Sequence, residues 1–219
     1  PELPGGDILV RELRRHGIVP ALAHSDATYE QAKHAFRIGV NHVTHCCNGM
    51  RPMHHRDPGP VIAALEEPDV SIQAIVDGTH LHPAVVRLLY REKGPGKMAL
   101  ITDALQAMGM GDGVYRFGGH EVTVSGGVAR LSNGSLASST VTMIDSLKNA
   151  VKFGIPLYDA IRMATAAPAD ALSLPHKGRI EPGADADLVL LDEEMNVLWT
   201  MVDGRIVYDR QQGIIPRSS

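Results

Sequence analysis

Cysteine and aromatic residues are scarce in this 219-residue sequence, which has two cysteines and 4% Phe, Trp and Tyr. The two cysteines, Cys46 and Cys47, are adjacent and offer no disulfide framework of the kind that stabilises small secreted domains. The sequence also lacks a long apolar run and a recognisable signal peptide. These absences favour a cytoplasmic protein that does not enter the membrane.

Basic clusters are missing as well, because no Lys/Arg block is longer than the pair Arg14 and Arg15 and the net charge is −4. This charge pattern argues against nucleic acid or an anionic membrane as the partner and favours a small neutral or anionic metabolite. The 44% hydrophobic content is enough for a buried core in one domain or two small ones.

The first two-thirds of the sequence alternate short apolar runs with amphipathic stretches, which is typical of successive βα units and a parallel sheet. Strands are predicted at 18–23, 42–44, 70–76 and 97–102, and helices at 7–16, 29–38, 60–66 and 84–92. The pattern predicts an α/β fold that is either a barrel or an open sheet.

The pattern changes from Gly113 onward. Residues 113–131, interrupted by two Gly-Gly pairs, predict one or two β-hairpins. Helices are predicted at 140–153 and 157–167, the second interrupted or redirected by Pro168. Strands are predicted at 187–191, 197–202 and 206–208, with Asp203 and Gly204 as a tight turn. The end of the chain is therefore predicted to contain only β-structure.

Polar residues with catalytic potential follow each predicted strand of the α/β part: His24, His45, the pair Asp77 and His80, and Asp103. In a barrel of βα units, the carboxyl ends of the strands converge on one mouth, where the active site lies. Two histidines with one or two aspartates at that mouth suit a divalent metal ion and a metal-activated water.

Several of these signals have an ordinary structural alternative. Since side chains alternate along a strand, we expect His45 rather than His42, and His80 rather than His82, to face the mouth. Cys46 and Cys47 are expected to be small core residues. Arg56, in the polar segment 54–59, suits phosphate recognition but also an exposed loop, and the turn at 134–139 suits either an anion or helix capping.

A family resemblance rests on the motifs AHSDAT at 23–28, VTH at 43–45 with NGM at 48–50, DGTH at 77–80, TDA at 102–104 and LASS at 136–139. In this order they resemble the motifs of N-acetylglucosamine-6-phosphate deacetylases, and the resemblance covers essentially the whole chain. The segment 183–189 is similar to one found in many amidohydrolases.

The resemblance implies a homodimeric, metal-dependent hydrolase that converts N-acetylglucosamine 6-phosphate to glucosamine 6-phosphate and acetate. His24 and His45 are then ligands of a divalent metal ion, with zinc, iron, manganese and cobalt all open, and Asp103 is the acid/base residue. The phosphorylated amino sugar is expected to contact seven residues: Asn48, Gly49, Arg56, His80, Leu136, Ala137 and Ser138. Arg56 is expected to reach the sugar phosphate of a second subunit.

For the fold, the resemblance implies the C-terminal half of a (β/α)8 TIM-type barrel in residues 1–175, with an inserted β-hairpin region, and strands of a small β-sandwich in residues 176–219. Family members have an upstream half that supplies four more barrel strands and a glutamate as the third metal ligand, and neither is in this sequence. Cys46 and Cys47, Gly49 and Ser138 also depart from the family pattern. The alternatives are another amidohydrolase, such as a dihydroorotase-like enzyme or an amino-acid deacylase, and a catalytically incompetent half-barrel that acts as an interaction subunit.

Overall fold

A four-stranded parallel sheet with flanking helices forms the first part of the chain in the computed structural model, which describes residues 1–216. Its strands, in spatial and sequence order, are β1 (Ala21–Leu22), β2 (His42–Val43), β3 (Ser71–Ile75) and β4 (Met98–Ile101). The helices are α1 (Gly6–Arg15), α2 (Tyr29–Ile38), α3 (Gly59–Glu66) and α4 (Pro83–Lys93). The predicted α/β class is confirmed.

The first strand is much shorter than predicted, because 18–23 reduces to Ala21–Leu22. Pro20, which has no backbone N–H to donate to a sheet, directly precedes it. As β1 is also an edge strand, only β2 pairs with it. The local chemistry of proline therefore limits this strand where hydropathy alone predicted a longer one.

The predicted hairpin region is an antiparallel sheet of β5 (Gly113–Phe117), β6 (His120–Ser125) and β7 (Val128–Leu131). Both connections are Gly-Gly turns with positive φ at each residue, 58° and 83° at the first turn and 58° and 74° at the second. Tight hairpin turns of the I′ type need positive φ at both positions, which glycine adopts without steric cost. Val122, Val124 and Ala129 of this sheet belong to a small core of its own.

Three helices follow: α5 (Met143–Lys152), α6 (Leu157–Ala164) and α7 (Ala166–Ala171). The first begins three residues later than predicted, because Thr142 is its N-cap and accepts a hydrogen bond from the N–H of Asp145 at 3.2 Å. The predicted helix at 157–167 breaks at Thr165. Continuing it would bring the Pro168 ring against the carbonyl of Ala164, four residues earlier.

The last sheet is antiparallel and contains β8 (Leu188–Leu191), β9 (Val197–Val202), β10 (Arg205–Asp209) and β11 (Gly213–Ile214). The two-residue β11 was not predicted. None of the residues in these four strands is fully buried, and Val189 and Ile214 are 55% and 83% exposed. Both faces of this sheet thus retain apolar surface that the described part of the chain does not cover.

The main core lies between the parallel sheet and its helices. Ile72, Ala74 and Ile75 of β3 are fully buried, as are Val86 and Leu89 of α4. The helices α5, α6 and α7 all contact β4. Within residues 1–216, no helix has the length and apolar character needed to cross a membrane.

Two neighbouring leucines of α4 provide a test of this core. We expect Leu89→Ala, at a fully buried side chain, to lower the free energy of unfolding by about 2–5 kcal/mol, because it leaves a cavity. Leu88→Ala is the matched control, since Leu88 is 39% exposed and its replacement should cost less than about 1 kcal/mol. Urea unfolding of both variants measures the difference, and equal losses would contradict the packing described here.

Candidate active site

The four predicted strand-end residues occupy equivalent places in the parallel sheet. His24, His45, Asp77 and Asp103 each lie two residues beyond the last residue of β1, β2, β3 and β4, respectively. Because the strands are parallel and ordered along the sheet, all four residues project from the same edge. The fold therefore gathers residues that span 80 positions of the sequence at one edge.

Three of these residues have an unusual backbone conformation. The φ angle is 41° at His24, 30° at His45 and 48° at Asp103. Positive φ is uncommon for residues other than glycine, costs of order 1–3 kcal/mol at each such residue, and clusters at functional sites. Its coincidence with these three residues marks this edge of the sheet as the candidate active site.

The two histidine rings are neighbours, with centroids 4.7 Å apart and planes inclined by 33°. His24 is exposed, whereas His45 is 7% exposed and its Nδ1 is buried without a hydrogen-bond partner. A buried ring nitrogen without a hydrogen-bond partner lowers the stability of the fold unless another group binds the ring or its surroundings. Two adjacent imidazoles of this kind fit two coordination positions of a divalent metal ion.

The loop after β2 packs onto His24. Asn48 closes this loop, since its side-chain amide donates to the carbonyls of His45 and Cys46 at 3.3 and 3.4 Å. Gly49 follows with φ 61°, and a Cβ at this position would lie 2.5 Å from Cδ2 of His24. The His24 ring has room in this position because residue 49 is glycine.

The turn at 136–139 lies beside Asp103. The N–H of Ser139 donates to the Asp103 carbonyl at 2.9 Å, and Ser138 has φ 60°. The N–H of Ala137 donates to Ala129 in β7, so this group is engaged within the protein. Thr142 is the N-cap of α5, so the turn at 136–139 is not itself the helix cap.

Asp77 and His80 form a pair at the end of β3, with Oδ2 of Asp77 2.6 Å from Nδ1 of His80. Burial raises the pKa of Asp77, but hydrogen bonds from the His80 ring and from the backbone N–H groups of His80 and Thr79 outweigh it and hold the pKa below its usual range. His82, the other histidine of this segment, caps α4 by accepting from the N–H of Ala84 at 3.2 Å.

The remaining candidates lie farther from the histidine pair. Cys46 is fully buried in the main core, where a hydrogen bond with Cys47 and burial raise the pKa of its thiol. Burial likewise lowers the pKa of His42 and favours its neutral form. Arg56 is exposed, with Nη1 2.7 Å from Nε2 of His55.

The chain is similar to known proteins of one family. The model of the amidohydrolase family matches residues 14–207. The chain belongs to the amidohydrolase family.

Among curated relatives of this amidohydrolase, the N-acetylglucosamine-6-phosphate deacetylase of Vibrio furnissii is 42% identical over 95% of the chain and 53% of the relative. The N-acetylgalactosamine-6-phosphate deacetylase of Escherichia coli O157:H7 is 38% identical over 94% of the chain and 55% of the relative. The resemblance to the deacetylases is confirmed, and the chain spans about half the length of these relatives.

A solved structure adds a likeness in three dimensions. The mutant N-acetyl-D-glucosamine-6-phosphate deacetylase of Mycobacterium smegmatis, in complex with N-acetyl-D-glucosamine-6-phosphate, superposes with a TM-score of 0.91 at 40% identity. The alignment covers 94% of this amidohydrolase chain and 55% of that chain.

Residues 1–216 contain no group of three or more His, Cys, Asp or Glu side chains that could hold a metal ion. Catalytic zinc sites usually have three protein ligands, so His24 and His45 fit the ion but supply less than the usual set.

Sequence reasoning missed the residues that support the histidines. The carboxylate of Glu2 accepts hydrogen bonds from the Ser25 hydroxyl at 2.7 Å and the Asp26 N–H at 2.8 Å, directly after His24. Arg51 joins Asp26 to Asp57 through its guanidinium. Because Glu2 is 22 residues from His24 in the sequence, no local pattern indicated the contact.

The histidine pair predicts weak binding of zinc that depends on both rings. We expect His24→Ala or His45→Ala to lower zinc affinity about tenfold or more, since even loss of an outer-shell partner has an effect of this size. Competition with a chromophoric chelator measures the affinity, and His120→Ala, on the exposed hairpin, is the control. Unchanged zinc affinity in His45→Ala would contradict a site at these histidines.

The lowered pKa of Asp77 predicts a pH dependence of stability. A carboxyl group whose pKa is lower in the folded than in the unfolded state contributes stability that is present above its unfolded pKa, about 3.9, and is lost as pH falls through the folded pKa. We therefore expect the difference in unfolding free energy between wild type and Asp77→Asn to shrink from pH 5 to pH 3.

Urea unfolding at each pH measures this difference. Asp69→Asn, at an exposed residue before the same strand, controls for the loss of a carboxylate. A difference that grows as the pH falls would have the wrong sign for the pair of Asp77 and His80.

Proposed function

We propose that this chain is the C-terminal half of an N-acetylglucosamine-6-phosphate deacetylase and contributes the catalytic acid/base residue and two metal ligands to its active site. The observation that carries the proposal is that His24, His45 and Asp103, all with positive φ, follow strands at one edge of the parallel sheet. The relatives at about 40% identity with this named activity support it.

The reaction is hydrolysis of the acetamide. His24 and His45 would hold the divalent ion, which when bound would supply Lewis-acid polarisation of the acetamide carbonyl and of water. Asp103 accepts a proton from the attacking water as the new C–O bond forms. The same carboxyl group returns the proton to the sugar nitrogen as the C–N bond breaks, which gives acetate and the free amine.

Support for the acid/base role of Asp103 comes from its surroundings. Its side chain is exposed at the sheet edge, where a substrate and water have access. Its backbone is anchored to Ser139, whose N–H donates to the Asp103 carbonyl and whose hydroxyl donates to the carbonyl of Thr102. The Asp103 carboxylate is therefore attached to a backbone that is already fixed when the substrate binds.

The proposed phosphate site consists of two segments. Gly49 lies against the His24 ring, in a loop that Asn48 closes. The turn formed by Leu136, Ala137 and Ser138 precedes Ser139, whose N–H donates to the Asp103 carbonyl. His80 and Arg56 add groups that bind anions. Arg56 is exposed on the loop at 53–57, a position suited to reaching the site of a second subunit in the proposed homodimer.

The proposed architecture is half of a (β/α)8 barrel in residues 1–175 and part of a β-sandwich in residues 176–219, of which 217–219 lie outside the described part of the chain. It is supported by the edge position of β1 and by the apolar surface left exposed at Ile8, Leu9, Val189 and Ile214. A parallel sheet of four strands does not close into a barrel, and the relatives are about twice as long. We propose that an upstream half covers these surfaces and adds the missing metal ligand.

A second candidate substrate is N-acetylgalactosamine 6-phosphate, because the Escherichia coli O157:H7 relative that is named for it is 38% identical to this chain. The two substrates differ in the orientation of one hydroxyl group, which the acid/base residue and the metal ligands do not contact during amide hydrolysis. Assays with each of the two sugar phosphates therefore test substrate specificity separately from the amide hydrolysis itself.

An acetate-release assay tests the proposal. We expect release from N-acetylglucosamine 6-phosphate in the presence of zinc, iron or manganese to fall about 10²- to 10⁴-fold in Asp103→Asn, the range for loss of a general acid/base. Asp203→Asn is a matched control, because Asp203 is also exposed and has φ 51°, so that variant removes a carboxylate from the same kind of backbone.

The assay is run on the 219-residue chain alone and with the upstream half of the Vibrio furnissii relative added as a separate polypeptide. Activity only in the mixture would identify the chain as a half-enzyme. No release in either arm from folded, metal-loaded protein would contradict the proposed function and favour a catalytically incompetent interaction subunit.

A further inference from the structure

Cys46 and Cys47 have no part in the proposed reaction, yet the fold brings their side chains together. In an extended chain, the side chains of adjacent residues point to opposite sides. Here a hydrogen bond joins the two thiols, and Cys47 has φ 78°, a conformation that is uncommon for residues other than glycine. The turn after β2 therefore places the two sulfur atoms side by side.

The two thiols differ in their access to solvent. Cys46 is fully buried and belongs to the main core, whereas Cys47 is partly exposed and packs against the surface of that core. A reagent from solvent therefore meets Cys47 first and finds Cys46 directly beside it. Redox-sensitive cysteines have this arrangement, in which an accessible thiol lies next to a second thiol that resolves the first oxidation product.

A soft-metal site is the alternative role for a pair of thiols. In the part of the chain that the structure describes, no group of three or more His, Cys, Asp or Glu side chains could hold a metal ion, so the thiols do not extend the pair of His24 and His45 to three ligands. Two thiols by themselves are also fewer ligands than a structural zinc site has. Chemistry between the two sulfur atoms fits their arrangement better.

We propose that Cys46 and Cys47 form a reversible disulfide on reaction with a hydroperoxide, and that this bond lowers the metal affinity of the neighbouring histidine pair. The effect on metal affinity rests on the proposed function, because it requires His24 and His45 to bind a metal ion. The formation of the disulfide does not rest on it.

The oxidation takes two steps. The Cys47 sulfur attacks an oxygen of the hydroperoxide, so that an S–O bond forms, the O–O bond breaks, and the alcohol, or water from hydrogen peroxide, leaves with the thiol proton. The Cys46 sulfur then attacks the Cys47 sulfur, the S–S bond forms, and the S–O bond breaks to release water that contains the proton of the Cys46 thiol. The two thiols lose two electrons in total, which reduce the peroxide.

The bond is expected to be strained and therefore easily reduced. Disulfides usually join residues whose Cα atoms are about 4.4–6.8 Å apart, whereas adjacent Cα atoms across a trans peptide are only about 3.8 Å apart. The peptide bond between Cys46 and Cys47 is trans. Strained disulfides have more oxidising potentials and are the labile, regulatory ones, so thiols should open this bond again.

The turn that contains the two thiols also holds the His45 ring. His45 directly precedes Cys46, the Asn48 amide donates to the carbonyls of both residues, and the Cys46 N–H donates to the Gln73 carbonyl at 2.8 Å. A disulfide closes a ring through the peptide bond between residues 46 and 47, which requires new backbone angles in this turn. Metal binding suffers, because it needs both histidine rings at fixed positions.

Mass spectrometry of the 219-residue chain tests the formation of the disulfide. We expect a low excess of hydrogen peroxide to remove two hydrogen atoms from the tryptic peptide 38–56 and to abolish both free thiols, and dithiothreitol to restore them. Retention of both thiols would overturn the proposal. Addition of oxygen to Cys47 while Cys46 stays reduced would also overturn it.

Single serine variants test the order of the two steps. In Cys47→Ser, the same dose of peroxide should leave the Cys46 thiol reduced, because it is fully buried. In Cys46→Ser, which lacks the resolving thiol, Cys47 should advance to the sulfinic acid, which dithiothreitol does not reverse. Equal oxidation of Cys46 with and without Cys47 would contradict the two-step reaction.

Competition with a chromophoric chelator tests the effect on metal binding. We expect the disulfide form to bind zinc about tenfold more weakly than the reduced form, the size of effect that follows loss of a group supporting a metal ligand. The double variant with serine at positions 46 and 47 should bind zinc as reduced wild type does, before and after peroxide, and it controls for oxidised methionines.

Two results of the zinc measurement would overturn the effect on metal binding. One is equal zinc affinity of the disulfide and reduced forms of wild type. The other is weaker zinc binding by the untreated double variant, which would identify the thiols themselves as metal ligands.

The readouts separate this proposal from the proposed function. A disulfide that forms in a chain without zinc affinity in either form would support the redox chemistry and count against the metal site of the proposed function. Zinc binding that depends on His24 and His45, in a chain that forms no disulfide, would count against the redox chemistry alone.

Discussion

The register of the four parallel strands is the constraint on which the candidate site depends. Each strand is followed, two residues later, by a polar residue: His24, His45, Asp77 and Asp103. Backbone hydrogen bonds between neighbouring strands set the relative height of these residues at the sheet edge. A slip of one residue in any strand would turn its functional side chain away from the others.

The same site stores backbone strain that the rest of the fold must support. Positive φ at His24, His45 and Asp103 costs of order 1–3 kcal/mol per residue. Burial of the strands against the helices offsets this cost, and side-chain contacts such as those of Glu2 with Ser25 and Asp26 hold the turns in place. Rigid turns of this kind bring ligands and acid/base groups to fixed positions before a substrate binds.

Three features of the chain are incomplete in a related way. The parallel sheet has open edges, the antiparallel sheet at 188–214 has apolar residues exposed on its strands, and the histidine pair falls short of the usual set of metal ligands. The relatives are about twice as long as the chain. The upstream half proposed above would account for all three features, which is why the proposed function is that of a half-enzyme.

The sequence by itself determined the α/β class, the hairpins, the final antiparallel strands and the identity of the candidate residues, because these follow from local hydrophobic period, glycine turns and short motifs. It overestimated β1 and the helix after Leu157, where Pro20 and Pro168 act against the hydrophobic pattern. Only the tertiary structure decided that the Asp77 carboxylate pairs with the His80 ring, that Glu2 supports the turn after His24, and that the His24 and His45 rings lie 4.7 Å apart. These relations are set by strand register and side-chain packing, which no local stretch of sequence specifies.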